Sequence, residues 1–417
     1  MNKILVIYNG WGERWTLGTL AADGATILFE YSPEALSHGL AFSPFRMPLR
    51  AQVYAQGEDF FERLPGFIAD ALPDGWGRML IDRAFRKTGR EPPTVSVLER
   101  LAVIGDRAMG ALSFEPAQRH SLAAHDMALL GLARRVDSLT AGASAAMLNE
   151  LVLVGGSPQG ARPKAVVHYT RASGRMIAGG GDSTEGEPWL IKFPARGEHA
   201  EACAIEELYA RLARACGIEM PESAYFALSR RLAAFGTRRF DRHDGMRVPV
   251  LTLAGCLHSD YRVPSVDAID FLRLTKLMTR DMREVRAAFE RCLFNLVFHN
   301  RDDHAKNLSY RLGRDGRWRL APAYDLTFNP GPRGHHQMAY AGETRSPGLE
   351  HVVAVAEQGE IDAATARKSI KRMTATAGRL ANFVETLPIR KTTLRAIVET
   401  VGDNCARLAR VEPPGRN

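Results

Sequence analysis

At 417 residues, with 45% apolar and 24% charged residues, the chain is long enough to bury a large core and to divide into two or three units. Its formal net charge of +8 points to acidic partners, nucleotide or nucleic acid, and no apolar run approaches the roughly 20 residues of a membrane span. Five scattered cysteines (Cys203, Cys216, Cys256, Cys292, Cys405), never in a Cys-x-x-Cys pair, argue for a reducing cytoplasm and against a zinc module.

From the N-terminus, residues 3–8 alternate and are β-branched, which predicts a strand rather than a signal peptide, and Asn9-Gly10 is a hairpin-type turn signal. Residues 13–20 and 26–31 continue a meander. Ser32-Pro33-Glu34 opens a short helix, with Ser as N-cap and Pro in the first turn. Leu72-Pro73-Asp74-Gly75-Trp76-Gly77-Arg78 leads into a helix over 78–85, and a strand within 104–114 closes the block. Pro73, Gly75, Gly77, Gly105 and Gly110 read as backbone-shape residues, and nothing here has catalytic spacing. Residues 1–115 are therefore expected to form a β-rich accessory unit, joined by an Ala- and Arg-rich helical connection over 116–145.

A third unit, 146–255, begins with an apolar strand over 151–154 that runs into Gly155-Gly156-Ser157-Pro158-Gln159-Gly160-Ala161-Arg162-Pro163-Lys164 and returns as a strand over 165–169. A glycine-rich turn between strands is one way to cover nucleotide phosphates with backbone N–H groups. It is not a Walker A loop, because no Gly-Lys-Ser/Thr opens a helix. Residues 173–187 are polar and glycine-rich, as at a flexible hairpin tip. Trp189-Leu190-Ile191-Lys192-Phe193-Pro194 is an apolar strand broken by one lysine, either an edge residue or a cation facing a cleft. The following helix, 201–215, ended by Gly217, carries Glu206 and Glu207; each is a candidate partner for Lys192 or a surface glutamate. Strands over 225–228 and 231–238 end in Arg239-Phe240-Asp241-Arg242, where a hinge between two lobes would sit.

The last unit, 256–417, is helical by pattern, with helices over 267–278 and 283–298. In the second, Val285, Phe289, Cys292 or Leu293, and Leu296 recur at helical spacing. It delivers His299-Asn300-Arg301-Asp302-Asp303-His304-Ala305-Lys306-Asn307, and Ala323-Tyr324-Asp325-Leu326 follows a hairpin-like stretch. An Asp, an Asn five positions later and a further Asp beyond a hairpin is the spacing of a protein-kinase catalytic loop. There a carboxylate positions the nucleophile and metal neutralises polyphosphate charge. Residues 329–348 would form an activation segment, and 361–411 are helical, with Lys368, Lys371 and Arg372 on one basic face. A metal-dependent hydrolase built on His299, Asp302, Asp303 and His304 is the rival chemistry, but it lacks a second His/Glu motif and leaves Lys192 and the glycine loop unexplained.

The ordered set of motifs resembles the HipA-family serine/threonine kinases, the toxin half of HipBA-type toxin–antitoxin modules. It rests on residues 300–309, 323–327 and 160–165, supported by 191–194, 239–242 and 72–78. The resemblance implies an α+β, two-lobed protein-kinase-like fold with a β-rich N-terminal subdomain and a mainly helical C-terminal lobe. It implies Asp302 as catalytic base, Lys192 as the phosphate-contacting lysine with Glu206 as its ion-pair partner, and Asn307 and Asp325 as magnesium ligands. Gln159, Gly160, Ala161, Arg162, Pro163 and Lys164 would cover ATP. Arg238, Arg239 and Phe240 would line the adenine side, His304 would lie in the nucleotide site, and Ser157 would be autophosphorylated. Arg238 stands where a Glu is frequent in the family. The implied cofactors are ATP and Mg2+. The implied partners are a HipB-like helix-turn-helix antitoxin, operator DNA through that complex, and a protein substrate such as an aminoacyl-tRNA synthetase, in the cytoplasm with no membrane. The alternative is a catalytically weak kinase-fold co-repressor acting with the antitoxin on DNA.

Overall fold

The computed structural model describes residues 1–56, 58–117, 125–126, 131, 160–178, 186–229 and 232–409. A five-stranded antiparallel sheet forms the first unit, in the order Val53–Gln56, Thr26–Tyr31, Trp15–Asp23, Lys3–Tyr8, Leu112–Glu115. The alternation that predicted its strands is the burial pattern observed: Ile4, Val6 and Tyr8 face inward with Leu17, Leu20 and Phe29. Ser32 caps the next helix, Pro33–His38, accepting a hydrogen bond from the Ala35 amide at 2.9 Å. The Asn9-Gly10 pair does not make a two-residue hairpin. Residues 9–14 form a wider connection in which Trp11 and Gly12 take φ of 55° and 82°. Tertiary contact overrides the local turn signal there, because the Trp11 indole N–H donates to Leu312 O of the distant lobe at 3.0 Å.

The second sheet has six strands, ordered Ser223–Ala227, Ala233–Arg238, Glu187–Lys192, Lys164–Thr170, Arg175–Ala178, His125–Asp126. The helix Glu201–Ala215 packs on it, burying Ala204, Leu208, Tyr209 and Leu212. The strand Val250–Thr252, assigned from sequence to the unit ending at residue 255, pairs instead with Ser309–Leu312. The chain has therefore already crossed into the helical lobe by residue 250.

That lobe is built around the helix Met282–Val297. Phe289, Leu293, Phe294 and Val297 are at most 1% exposed, and each such side chain is worth about 1.5–3 kcal/mol of burial, far more than the few tenths that separate helix propensities. The helices Ala268–Thr279, Ala363–Ala377 and Lys391–Ala409 pack around it. The helical stretch expected over 361–411 is two helices, Ala363–Ala377 and Lys391–Ala409, with Pro388 in the segment between them. Of its basic face, Lys368 and Lys371 are exposed, while Arg372 turns to Glu290 at 2.7 Å.

One buried carboxylate fixes the first unit to the crossover between lobes. Asp241, 2% exposed, accepts from Arg239 Nε at 2.8 Å, Arg242 at 2.7 Å and the Gly110 amide at 2.8 Å. Arg247 adds hydrogen bonds to the carbonyls of Asp106, Ala108, Gly110 and Leu112 at 2.8–2.9 Å. Burial opposes the Asp241 charge, but Arg239 and Arg242 outweigh it and hold the carboxyl well below the usual range. Asp241→Ala is expected to cost about 3–5 kcal/mol in chemical denaturation at pH 7, because it leaves buried guanidinium groups uncompensated. A depressed carboxyl stabilises fully above its unfolded pKa of about 4 and loses that contribution as pH falls further. The difference from wild type should hold constant from neutral pH to about 5 and shrink only below about 4; a cost under about 1 kcal/mol would refute this anchor.

Candidate active site

The central helix ends at Phe298, and His299 reverses the chain with φ of 57°. Asn300 then locks the loop onto the helix end, its Nδ2 donating to Asn295 Oδ1 at 2.9 Å. Residues 300 and 329 bridge as parallel strands, which ties the loop to the segment after Asp325. Asp302 is left with its side chain 36% exposed. Burial is the main cause raising its pKa, with Asp325 and Asp303 adding to it and His304 and the Gln337 amide opposing. Asn307 donates its Nδ2 to Asp302 O at 2.7 Å, leaving its amide oxygen uncommitted among the described residues.

The neighbouring Asp303 has a different task. It is 1% exposed and accepts from the amides of Gln337 (2.8 Å) and Met338 (3.2 Å), from Tyr340 Oη (2.8 Å) and from His336 Nδ1 (2.7 Å). It clamps residues 336–340 against the loop.

Across the cleft, the six-stranded sheet brings two lysines together. Lys164 and Lys192 are directly opposed on neighbouring antiparallel strands, a like-charge pairing that ordinarily destabilises a sheet. Both are buried, at 4% and 5% exposure. Lys192 Nζ donates to Glu206 and, at 2.5 Å, to Asp325 Oδ1. Burial works against its ammonium, but Asp325 and Glu206 overcome this and hold its pKa above the ordinary lysine value. The same cations keep the Asp325 carboxyl well below the usual range despite burial. Lys164 is lowered to about 8, by burial first and by Lys192 second. Glu206 also meets Arg162 at 3.3 Å, and Arg162 reaches Glu198 at 2.5 Å. Glu207 faces elsewhere, toward Arg211 and Ser223. The arrangement gathers three cations, Lys164, Lys192 and Arg162, among three carboxylates, Glu198, Glu206 and Asp325, so the cations are held in place by acids from both lobes.

The first unit enters this site, which the sequence did not signal. Asp74 accepts from the Gly160 amide through Oδ1, and its Oδ2 takes Tyr261 Oη at 3.2 Å and Lys306 Nζ at 3.3 Å. The Trp76 amide donates to Gly160 O at 3.1 Å, so both polar backbone groups of Gly160 are held from residues 74–76. Gly75 has φ of 40°, and a Cβ there would lie 2.7 Å from Ala161 Cα. Lys306 sits over the Tyr261 ring at 4.3 Å, and His304 Nε2 lies 3.7 Å from Asp302 Oδ1. A Pro-Asp-Gly turn was visible in the sequence, but not what it would touch.

The hinge residues divide. Phe240 stacks on Tyr324 with centroids 5.6 Å apart. Arg238 is exposed and pairs with Glu187 at 3.3 Å, and Arg239 commits its guanidinium to Asp241. Ser157 and Gln159 lie outside the described residues, as do the expected strand over 151–154 and most of the helical connection. For a hard divalent cation the donors are suitable: Asp325 Oδ2 and Asn307 Oδ1 are oxygens with no hydrogen bond among the described residues. Among the described residues no group of three or more His, Cys, Asp and Glu could hold a metal, and His299 stacks on Phe328, so the hydrolase arrangement is not assembled there.

Two family models match the chain: the HipA-like C-terminal domain over residues 156–381 and the HipA N-terminal domain over residues 9–115. No curated protein matches. Among solved structures, the chain is similar to one from the Shewanella oneidensis MR-1 toxin–antitoxin complex of HipA, HipB and operator DNA, with TM-score 0.70, 18% identity, and coverage of 97% of this chain and 96% of that one. It also matches the Helicobacter pylori proinflammatory kinase CtkA, with TM-score 0.42, 9% identity, and coverage of 59% and 88%.

Gly75→Ala forces a Cβ into the backbone of residues 160–161 and puts alanine at a strained φ. Amide exchange at residues 160–162 is expected to rise by about 10-fold or more, with the five-stranded sheet unaffected; unchanged exchange at these residues would show that the contact does not order the loop.

Proposed function

Because the chain belongs to the HipA family, we propose that it is an ATP- and Mg-dependent serine/threonine protein kinase acting as the toxin of a toxin–antitoxin pair. The observation that carries this reading is the double ion pair of Lys192 with Glu206 and Asp325, opposite Lys164 and across the cleft from Asp302. A buried ammonium that joins the sheet lobe to the helical lobe is where a nucleotide's phosphates would be fixed. ATP would enter between the lobes, with Phe240 on the adenine side, the Lys192 ammonium on the phosphates and residues 159–164 above them. Asn307 and Asp325 would hold magnesium, which neutralises polyphosphate charge. Asp302 would orient a serine or threonine hydroxyl and take up its proton. Its raised pKa makes it a stronger base than an ordinary solvated aspartate.

Partners follow from the same reading. A HipB-like helix-turn-helix antitoxin and operator DNA are proposed on the precedent of the Shewanella oneidensis complex, whose components they are. The protein substrate, an aminoacyl-tRNA synthetase by family resemblance, would be met by residues 329–348. The unit divisions 1–115, 116–145, 146–255 and 256–417 belong to this proposal, with the last boundary moved back to residue 250. A co-repressor of weak activity is the second reading; strong salt dependence of operator binding together with absent phosphotransfer would favour it.

Asp302→Ala and Asp325→Ala are each expected to abolish phosphate incorporation from labelled ATP, with nucleotide binding surviving better in the first. Retained transfer in either variant would break the assignment. Intact mass after ATP incubation should show added phosphate that disappears in Ser157→Ala; unchanged labelling would move the modified site elsewhere.

A further inference from the structure

Gln337 lies in the Pro/Gly/His-rich stretch between Asn329 and Gly348, where no motif marks it. Its backbone is fixed by Asp303, whose buried carboxylate accepts the Gln337 amide N–H at 2.8 Å. Its side chain then reaches the functional carboxylate: Gln337 Nε2 donates to Asp302 Oδ1 at 2.6 Å. The rest of the amide, Oε1 and the second N–H, makes no hydrogen bond among the described residues. Two adjacent acids thus have linked uses. Asp303 holds the segment, and the segment returns a neutral donor to Asp302.

Building on the kinase reading above, we propose that Gln337 is the positioning residue for the phosphoryl acceptor, fixing Asp302 and orienting the incoming hydroxyl. A hydroxyl has one proton and two lone pairs. Gln337 occupies Asp302 Oδ1, so the proton is offered to Oδ2. The second amide N–H takes one lone pair, and the other faces the γ-phosphorus of ATP. The new bond forms between hydroxyl oxygen and phosphorus, and the bond from phosphorus to the β–γ bridging oxygen breaks. Its electron pair leaves on ADP, and the proton passes to Asp302. An amide suits this place because it cannot take the proton itself, whereas a carboxylate there would compete with Asp302 for it. The charged groups around Asp302 are His304 at 3.7 Å, and Asp303 and Asp325, both of which oppose its ionisation.

The test uses the full chain, Mg-ATP labelled at the γ-phosphate and dephosphorylated casein as acceptor, from pH 5.5 to 9. Gln337→Met is expected to lower turnover at saturating ATP by about 10-fold or more, with KM for ATP within about 2-fold of wild type. Gln337→Glu is expected to move the acidic limb of the rate profile up by about one pH unit or more, because two carboxylates in contact share a proton. Wild-type turnover and profile in both variants would overturn the role of Gln337. So would a loss that appears equally in KM for ATP and in the melting temperature, the mark of a merely structural contact. Absence of transfer by the wild-type chain both to casein and to itself would instead overturn the kinase reading on which this role rests.

Discussion

The ammonium of Lys192 is the point on which the molecule turns. It is buried, yet it is held by carboxylates from two elements: Glu206 on the helix of the sheet lobe and Asp325 beyond the loop of the helical lobe. A lone buried charge would cost several kcal/mol, so the pair of acids is a condition for the lysine being there at all. The same contact sets the relative placement of the lobes, because its two acceptors belong to different ones. It also tolerates Lys164 directly opposite, which an ordinary sheet would not. The result is a junction in which the lysines of the sheet lobe meet Asp325 of the helical lobe directly.

The N-terminal unit is part of this arrangement rather than an attachment to it. Asp241 and Arg247 tie residues 106–112 to the crossover between lobes, and Asp70 accepts from the Thr252 amide and hydroxyl, each at 2.7 Å. Asp74 reaches further, joining Gly160 of the glycine-rich loop to Lys306 beside the functional loop. Burial opposes its charge, but Lys306 and the Gly160 amide lower its pKa below the ordinary aspartate value, so it meets both as a carboxylate. One side chain thus spans three parts of the chain, and any movement of the N-terminal unit is felt at Gly160 and Lys306.

What was legible in the sequence was local. The strands of the first unit follow from alternation, the Ser32 cap from its residue type, and the loop over 299–307 from the spacing of Asp302, Asn307 and Asp325 behind an apolar helix. Lys192 stood out because a lysine inside an apolar strand needs a reason. What was not legible was set by distance along the chain. Asp74 meets Gly160 and Lys306 across 86 and 232 residues, and no periodicity records such a contact. Gln337 lies in a stretch without regular pattern, and its importance appears only once Asp303 has placed it. The hairpin expected at Asn9-Gly10 failed for the same reason in reverse, since a partner three hundred residues away took Trp11 and widened the turn.

The most direct test is a crystal structure of the chain with Mg2+ and a non-hydrolysable ATP analogue. The expected result places the phosphates within hydrogen-bond distance of Lys192 Nζ, with the metal on Asn307 and Asp325 and the γ-phosphate facing Asp302. Nucleotide bound elsewhere, with the Lys192–Asp325 ion pair undisturbed and no phosphate near it, would contradict the assignment of this cleft.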